Sequence, residues 1–70
     1  MSRKEAAVQI FRAMKTRRFT FEHLAKAVGQ DVMGVNATLV GENSLPAYQA
    51  ELLVEILDLG PEVATALQKS

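Results

Sequence analysis

The sequence predicts an all-α fold, a bundle of five short helices in one domain covering residues 1–70. Apolar residues recur at three- and four-residue spacings, and no stretch alternates apolar and polar residues as a strand would. Glycine or proline stands at several of the points where helices should end or begin. Residues 20–41 are the most clearly organised stretch, because Gly29 divides them into two short helices that form a helix-turn-helix.

Composition limits the size of the core. Of 70 residues, 49 % are hydrophobic, which is high for so short a chain, since a domain of this size buries only roughly 60 % of its unfolded surface. We therefore expect part of the apolar surface to meet a second copy or a following domain. Cysteine is absent, so neither disulfides nor thiolate metal sites supplement the core.

The sequence also bears on location. No apolar run approaches the roughly 18 residues of a membrane span, and the N-terminus lacks the apolar core of a signal peptide. We expect a cytoplasmic protein that does not contact a membrane.

Charge is distributed unevenly along the chain. Residues 1–28 contain seven Lys or Arg and two Glu, a net charge of +5, whereas residues 29–70 contain one Lys and six acidic residues, a net charge of −5. Three interpretations stay open. The basic end of one copy contacts the acidic end of another, the basic end binds nucleic acid, or both halves are simply solvated faces.

The first helix is expected over residues 2–16. Ser2 is its candidate N-cap, and Glu5 occupies the capping-box position three residues later. Its apolar face is predicted to consist of Ala7, Ile10, Phe11 and Met14.

The helix-turn-helix follows, with helices expected over residues 21–28 and 32–40. Thr20 and Asp31 are candidate N-caps for these two helices. Gly29 ends the first of them because glycine tolerates the left-handed conformation common at helix C-termini, and Gly41 closes the second.

Two further helices are expected over residues 46–57 and 61–70. Ser44 or Leu45 is predicted to cap the first, with Pro46 in its first turn, and Pro61 to begin the second. The arc of apolar residues on the fourth helix is wider than one small core needs. The fifth helix is too short to be stable alone, so it must dock on another element.

No residue is expected to perform catalysis or to bind a cofactor or a metal. His23 is the only histidine and has no partner ligand in the sequence, so a solvent-facing or partly packed side chain is expected. Glu51 and Glu55 lie on one helical face, but nothing in the sequence builds a pocket around them. These observations favour a binding or assembly module.

The second helix of the helix-turn-helix lacks the chemistry of a DNA recognition helix. It contains no Lys or Arg, Asn36 is its only long amide side chain, and Asp31 at its start would repel phosphate. We therefore do not expect sequence-specific DNA binding. Nonspecific phosphate binding by the basic first helix stays open.

Three segments carry a resemblance to a known family. The strings FTFEHLA (residues 19–25), ATLVGENSLPA (37–47) and LVEILDL (53–59) occur in this order. Together they resemble the N-terminal domain of cyanase, also called cyanate hydratase or cyanate lyase. The resemblance covers residues 8–68, and Glu42 departs from it, since that family commonly has Gln there.

The resemblance implies a bicarbonate-dependent lyase that decomposes cyanate to ammonia and carbon dioxide as a homodecamer. It also implies a helical N-terminal domain that is similar to repressor-like DNA-binding domains but serves assembly. The family's catalytic Arg, Glu and Ser lie in a C-terminal domain that is absent from this chain. By this reasoning the segment alone is inactive.

We expect the chain to associate at least as a dimer. The candidate interface residues, which would lose their cover without a second domain, are Leu52, Ile56, Val63 and Leu67. The alternative function is that of a small helix-turn-helix DNA-binding regulator. A third is a free-standing interaction module with an unrelated partner.

Overall fold

Five helices make up most of residues 1–68, the part of the chain described by the structure, which is a computed structural model. They are α1 (Arg3–Arg17), α2 (Phe21–Val28), α3 (Val32–Leu39), α4 (Ala47–Leu57) and α5 (Pro61–Gln68). These residues contain no strand, so the all-α prediction is confirmed. The predicted boundaries of the first four helices agree within one residue. The last two residues expected in the fifth helix, Lys69 and Ser70, lie outside the described residues.

Side-chain caps begin the first three helices, as the sequence predicts. The Ser2 hydroxyl accepts a hydrogen bond from the Glu5 N–H, and the Glu5 carboxylate accepts one from the Ser2 N–H, both at 3.1 Å. The Thr20 hydroxyl and the Asp31 carboxylate each accept one from the backbone N–H three residues later. Each bond satisfies a donor that the first helical turn leaves unpaired.

The start of α4 differs from the prediction. Pro46 is itself the N-cap, and no side chain caps this helix. Leu45 is instead buried in the core, and its N–H donates to the carbonyl oxygen of Leu67 at 3.1 Å. The buried Ser44 hydroxyl has no hydrogen-bond partner among residues 1–68. The predicted cap at Ser44 or Leu45 was therefore wrong, because this segment is held by α5 rather than by the helix it precedes.

Each of the first four helices is followed by a residue in the left-handed conformation. Gly29 and Gly41 adopt it after α2 and α3, with φ of 81° and 86°. After α1 and α4 the same conformation is adopted by Arg18 and Asp58, with φ of 58° and 54°. These two side chains bear a steric cost that glycine avoids. Glycine therefore identified two of the four left-handed turns from sequence.

The core lies where α1, α2 and α4 meet α3 and α5. α5 packs against α4 and α1, so its predicted docking is confirmed. The largest fully buried side chains are Ile10, Leu24, Val35, Thr38, Leu53, Leu57, Val63 and Leu67. Phe11, predicted to lie inside, is 45 % exposed, and Ala6 takes its place on the buried face of α1. None of the helices within residues 1–68 has the length and apolarity needed to cross a membrane.

Arg3 ties the start of α1 to distant parts of the chain. Its Nε donates to the carbonyl oxygen of Ala66 at 2.8 Å, and Nη2 donates to that of Leu67 at 3.2 Å. Its Nη1 donates to the carbonyl oxygens of Thr38 (2.6 Å) and Asn43 (2.8 Å). The positive guanidinium thus satisfies carbonyl groups near the C-terminal ends of α3 and α5, where helix dipoles favour a cation.

Candidate protein interface

The only histidine of the chain and the acidic side chains of residues 1–68 do not come together in one cluster. No group of three or more His, Cys, Asp or Glu side chains within residues 1–68 is placed to hold a metal ion. His23 is exposed, and its ring lies edge-on to that of Phe19 with centroids 5.7 Å apart. It is a partly packed surface side chain, as the sequence predicts.

The exposed surface of α3 is more apolar than that of a typical DNA recognition helix. Val32, Met33 and Val40 at or beside this helix are exposed, and Asn36 is its only exposed long amide. The Asp31 carboxylate accepts the capping hydrogen bond from the Gly34 N–H. It also places a negative charge at the N-terminus of α3, the end of a recognition helix that would approach phosphate. This face is better suited to contact with protein than with base edges.

A groove runs between α1 and the end of α3. It has a volume of about 580 Å³, and its lining residues are Arg3, Lys4, Ala7, Val8, Phe11, Leu39, Val40 and Gly41. Phe11 is held at one wall by an edge-on contact with Phe21, whose ring centroid is 5.8 Å away. Val40, on the other side, is 59 % exposed. Apart from Arg3 and Lys4, the side chains that line the groove are apolar.

Positive charge borders this groove. Lys4, Val8 and Arg12 succeed one another at four-residue steps along α1, and Lys15 follows Phe11 by the same step. Residues so spaced are neighbours on one helical face, so the exposed apolar side chains are flanked by cations. We call the groove and these flanking residues the basic groove.

The exposed side of α4 has the opposite charge. Tyr48 and Leu52 lie one turn apart and are 69 % and 37 % exposed. Glu51 and Glu55, also one turn apart and exposed, lie next to them. The two carboxylates border a shallow groove of about 290 Å³ between α4 and α5. We call these four residues the acidic face.

Among residues 1–68, an ion pair between Arg17 and Asp58 connects the two charged halves. Arg17 Nη2 lies 3.6 Å from Asp58 Oδ2, and both side chains are substantially exposed. Such exposed pairs contribute little to stability, so this pair is not what holds the fold together.

The four predicted interface residues fall in different places. Val63 and Leu67 have no exposed surface, because they form the contact of α5 with the core. Ile56 is half-buried against the same core, and Leu52 is exposed. An interface through all four residues stays a prediction. In the folded single chain only Leu52 and part of Ile56 are accessible to a second copy.

Sequence reasoning missed the basic groove because Phe11 was assigned to the core. It also counted Arg3 among the basic surface residues, although its guanidinium binds carbonyl groups near the ends of α3 and α5. A signal for Phe11 was available in Lys15, four residues after it, and in Lys4 and Arg12, four residues to either side of Val8, since these charges mark the solvent face of α1.

The fold and these surfaces define a class, a small helix-turn-helix bundle that exposes apolar side chains between charges. Residues 3–69 match the sequence profile of the family "Cyanate hydratase, N-terminal". The chain belongs to this family, as its sequence motifs indicate.

A curated relative supports the same assignment. The chain is similar to a protein named cyanate hydratase from Mycolicibacterium vanbaalenii, with 30 % identity over 67 residues. The alignment covers 96 % of this chain and 44 % of the relative, so the chain spans less than half the length of that protein. No solved structure matches the chain.

Proposed function

We propose that this chain acts as the noncatalytic N-terminal domain of a cyanase-like enzyme and contributes to the assembly of its oligomer. In this proposal the complete enzyme decomposes cyanate with bicarbonate to ammonia and carbon dioxide, and works as a cytoplasmic homodecamer. Membership of the family and the name of the relative support the activity. A catalytic domain beyond residue 70 would supply the reacting groups.

The exposed apolar side chains support the assembly role most directly. Phe11 and Val40 in the basic groove, and Tyr48 and Leu52 on the acidic face, are each more than a third exposed. Side chains of this kind cluster at protein contacts, and a single chain gives them no cover.

The oligomeric state of the 70-residue chain tests this role. Sedimentation equilibrium over a wide concentration range should show at least a dimer. Leu52→Glu should shift the equilibrium towards monomer, because it places a charge in the apolar contact. The matched control is Asn36→Ala, an exposed position on α3, which should leave association unchanged. A chain that stays monomeric at every concentration contradicts the assembly role.

Activity provides a separate test. With cyanate and bicarbonate, the chain should release ammonia no faster than the buffer alone. Ammonia release proportional to protein concentration would show that the segment is catalytic.

Binding of DNA is the second candidate, favoured by the helix-turn-helix and by the cations of α1. It predicts mobility shifts that weaken steeply with salt and, for sequence-specific binding, disappear with Asn36→Ala. The apolar exposed surface of α3 supports the first proposal over this one. The same Asn36→Ala variant separates them, because assembly should not depend on this side chain.

A further inference from the structure

The basic groove and the acidic face have complementary chemistry. The groove offers an apolar concavity walled by Phe11 and Val40, with Lys4 in its lining. Arg12 lies on the neighbouring surface of α1, which also carries Glu5. The acidic face offers an aromatic and an aliphatic side chain, Tyr48 and Leu52, that project from a helix beside two carboxylates.

Both helices place apolar and charged side chains at four-residue steps, but the two cations on α1 lie eight residues apart, about 12 Å, and the two carboxylates on α4 lie four residues apart, about 6 Å. On α4, Tyr48 and Leu52 are four residues apart, as are Glu51 and Glu55, so the apolar and acidic pairs form parallel rows of about 6 Å length. On α1, Lys4 and Arg12 each lie four residues from Val8 and so bracket it. A helix laid along the groove would place its carboxylates near these cations while its apolar row covers Val8 and Phe11.

We propose that the acidic face of one copy docks into the basic groove of a second copy. This inference rests on the proposed assembly function and names the surfaces that perform it. The two surfaces share no residue, so two arrangements satisfy this pairing. In a two-fold dimer the groove-to-face contact is made twice between the same two copies, whereas in a heterologous assembly each copy uses its groove for one neighbour and its acidic face for another. Heterologous contacts generate rings when the rotation closes and open chains when it does not.

Charge disfavours the two symmetric alternatives. A contact between two basic grooves would bring Lys4 and Arg12 of both copies together. A contact between two acidic faces would bring Glu51 and Glu55 of both copies together. Like charges at an interface repel, whereas groove against acidic face pairs opposite charges.

Charge reversal tests the pairing. Lys4→Glu/Arg12→Glu reverses the groove, and Glu51→Lys/Glu55→Lys reverses the acidic face. All four positions are exposed, so the reversals should leave the core intact. Sedimentation velocity at low ionic strength should show self-association of each variant weakened by roughly tenfold or more.

Recombination of the reversed surfaces gives the decisive result. An equimolar mixture of the two variants should associate, because each variant's groove is opposite in charge to the other's α4 face. The quadruple variant should regain self-association on its own. A symmetric groove-to-groove contact does not predict this recovery, because in the quadruple variant it would bring two acidic grooves together, and like charges repel. Glu22→Lys/Lys26→Glu on α2, which also preserves net charge, is the control and should associate like the original chain.

Each failure has a distinct meaning. If the original chain associates but the reversals change nothing, this pairing is wrong and the assembly function stands, with another surface or partner in the groove. If the quadruple variant stays dissociated, the proposed pairing of the basic groove with the acidic face is wrong. If the original chain is monomeric throughout, both proposals fail.

Neutral variants keep the test valid if a reversal unfolds the chain, as circular dichroism would show. Lys4→Gln/Arg12→Gln and Glu51→Gln/Glu55→Gln should each weaken association less than reversal does and make it less sensitive to salt. Association of the original chain should itself weaken as ionic strength rises to about 1 M, where the screening length is about 3 Å. The proposal is overturned if neither the neutral substitutions nor the rise in ionic strength weakens association.

Discussion

The helix-turn-helix and the pair formed by α4 and α5 are stabilised in different ways. In α2 and α3 each start is capped by a side chain of the residue just before it, Thr20 or Asp31, and Gly29 makes the turn. α4 has no side-chain cap, and the end of α5 is held by groups far away in sequence, the Arg3 guanidinium and the Leu45 N–H. The first unit is specified locally, whereas the second depends on the rest of the domain.

The largest expected effect concerns the core under α5. Leu67→Ala should lower the free energy of unfolding by about 2–5 kcal/mol, because it removes a fully buried side chain and leaves a cavity. Urea unfolding followed by circular dichroism measures it at a fixed protein concentration. Met33→Ala is the control and should cost about 1 kcal/mol or less, since Met33 is 82 % exposed and lies outside the basic groove and the acidic face. Equal losses would mean that Leu67 is not a core residue of the single chain.

The long-range bonds of Arg3 come next. Arg3→Met keeps most of the aliphatic stem but leaves the carbonyl groups of Ala66 and Thr38 without this donor. We expect a loss of about 2 kcal/mol and faster amide hydrogen exchange in α5. Lys4→Met, at the next and exposed position, should change stability much less. If α5 amides exchange at the original rate, Arg3 does not hold this helix.

Local caps should matter less, and in a way that separates the two regions. Thr20→Ala and Asp31→Ala should each cost about 1 kcal/mol in urea unfolding, because each removes an acceptor from a helix start. Ser44→Ala, before α4, should cost no stability and should raise it slightly, since its hydroxyl caps nothing and is buried without a partner among residues 1–68. A cost for Ser44→Ala as large as the other two would remove the contrast.

The smallest effect is the pH dependence at the first cap. Hydrogen bonds from the Ser2 backbone and hydroxyl hold the pKa of Glu5 below its ordinary value of 4.5. A lowered folded pKa means that Glu5 contributes stability above the ordinary pKa, and this contribution is lost as pH falls through the folded pKa. Glu5→Gln should therefore be less stable than the original chain near neutral pH, with the difference shrinking in acid. Urea midpoints over this pH range measure it, and a difference that grows in acid would contradict this sign.

The same contrast explains what could be predicted from sequence. Caps and glycine turns depend on residues close in the chain, so Thr20, Gly29 and Asp31 were assigned correctly before the structure. Arg3 binds carbonyl groups more than 60 residues away, and no local pattern indicates it. Arg18 and Asp58 adopt left-handed conformations without the glycine that would reveal them.

From the sequence, core residues were harder to distinguish from surface residues than helices were from turns. Periodicity placed Phe11 inside and left Val63 and Leu67 as interface candidates, because all three lie on apolar stripes. Which stripe is covered depends on how α5 crosses α1 and α4, and that arrangement is a property of the whole fold.

The bond between Arg3 and α5 also affects the order of events during synthesis. Arg3 leaves the ribosome more than 60 residues before Ala66 and Leu67. The bonds that join α1 to α5 therefore cannot form until the last helix has emerged. Until then the apolar faces that α5 covers on α1 and α4 stay open to water and to other nascent chains. The domain should consequently complete its folding only after release of its final turn, when any segment that follows it is already being made.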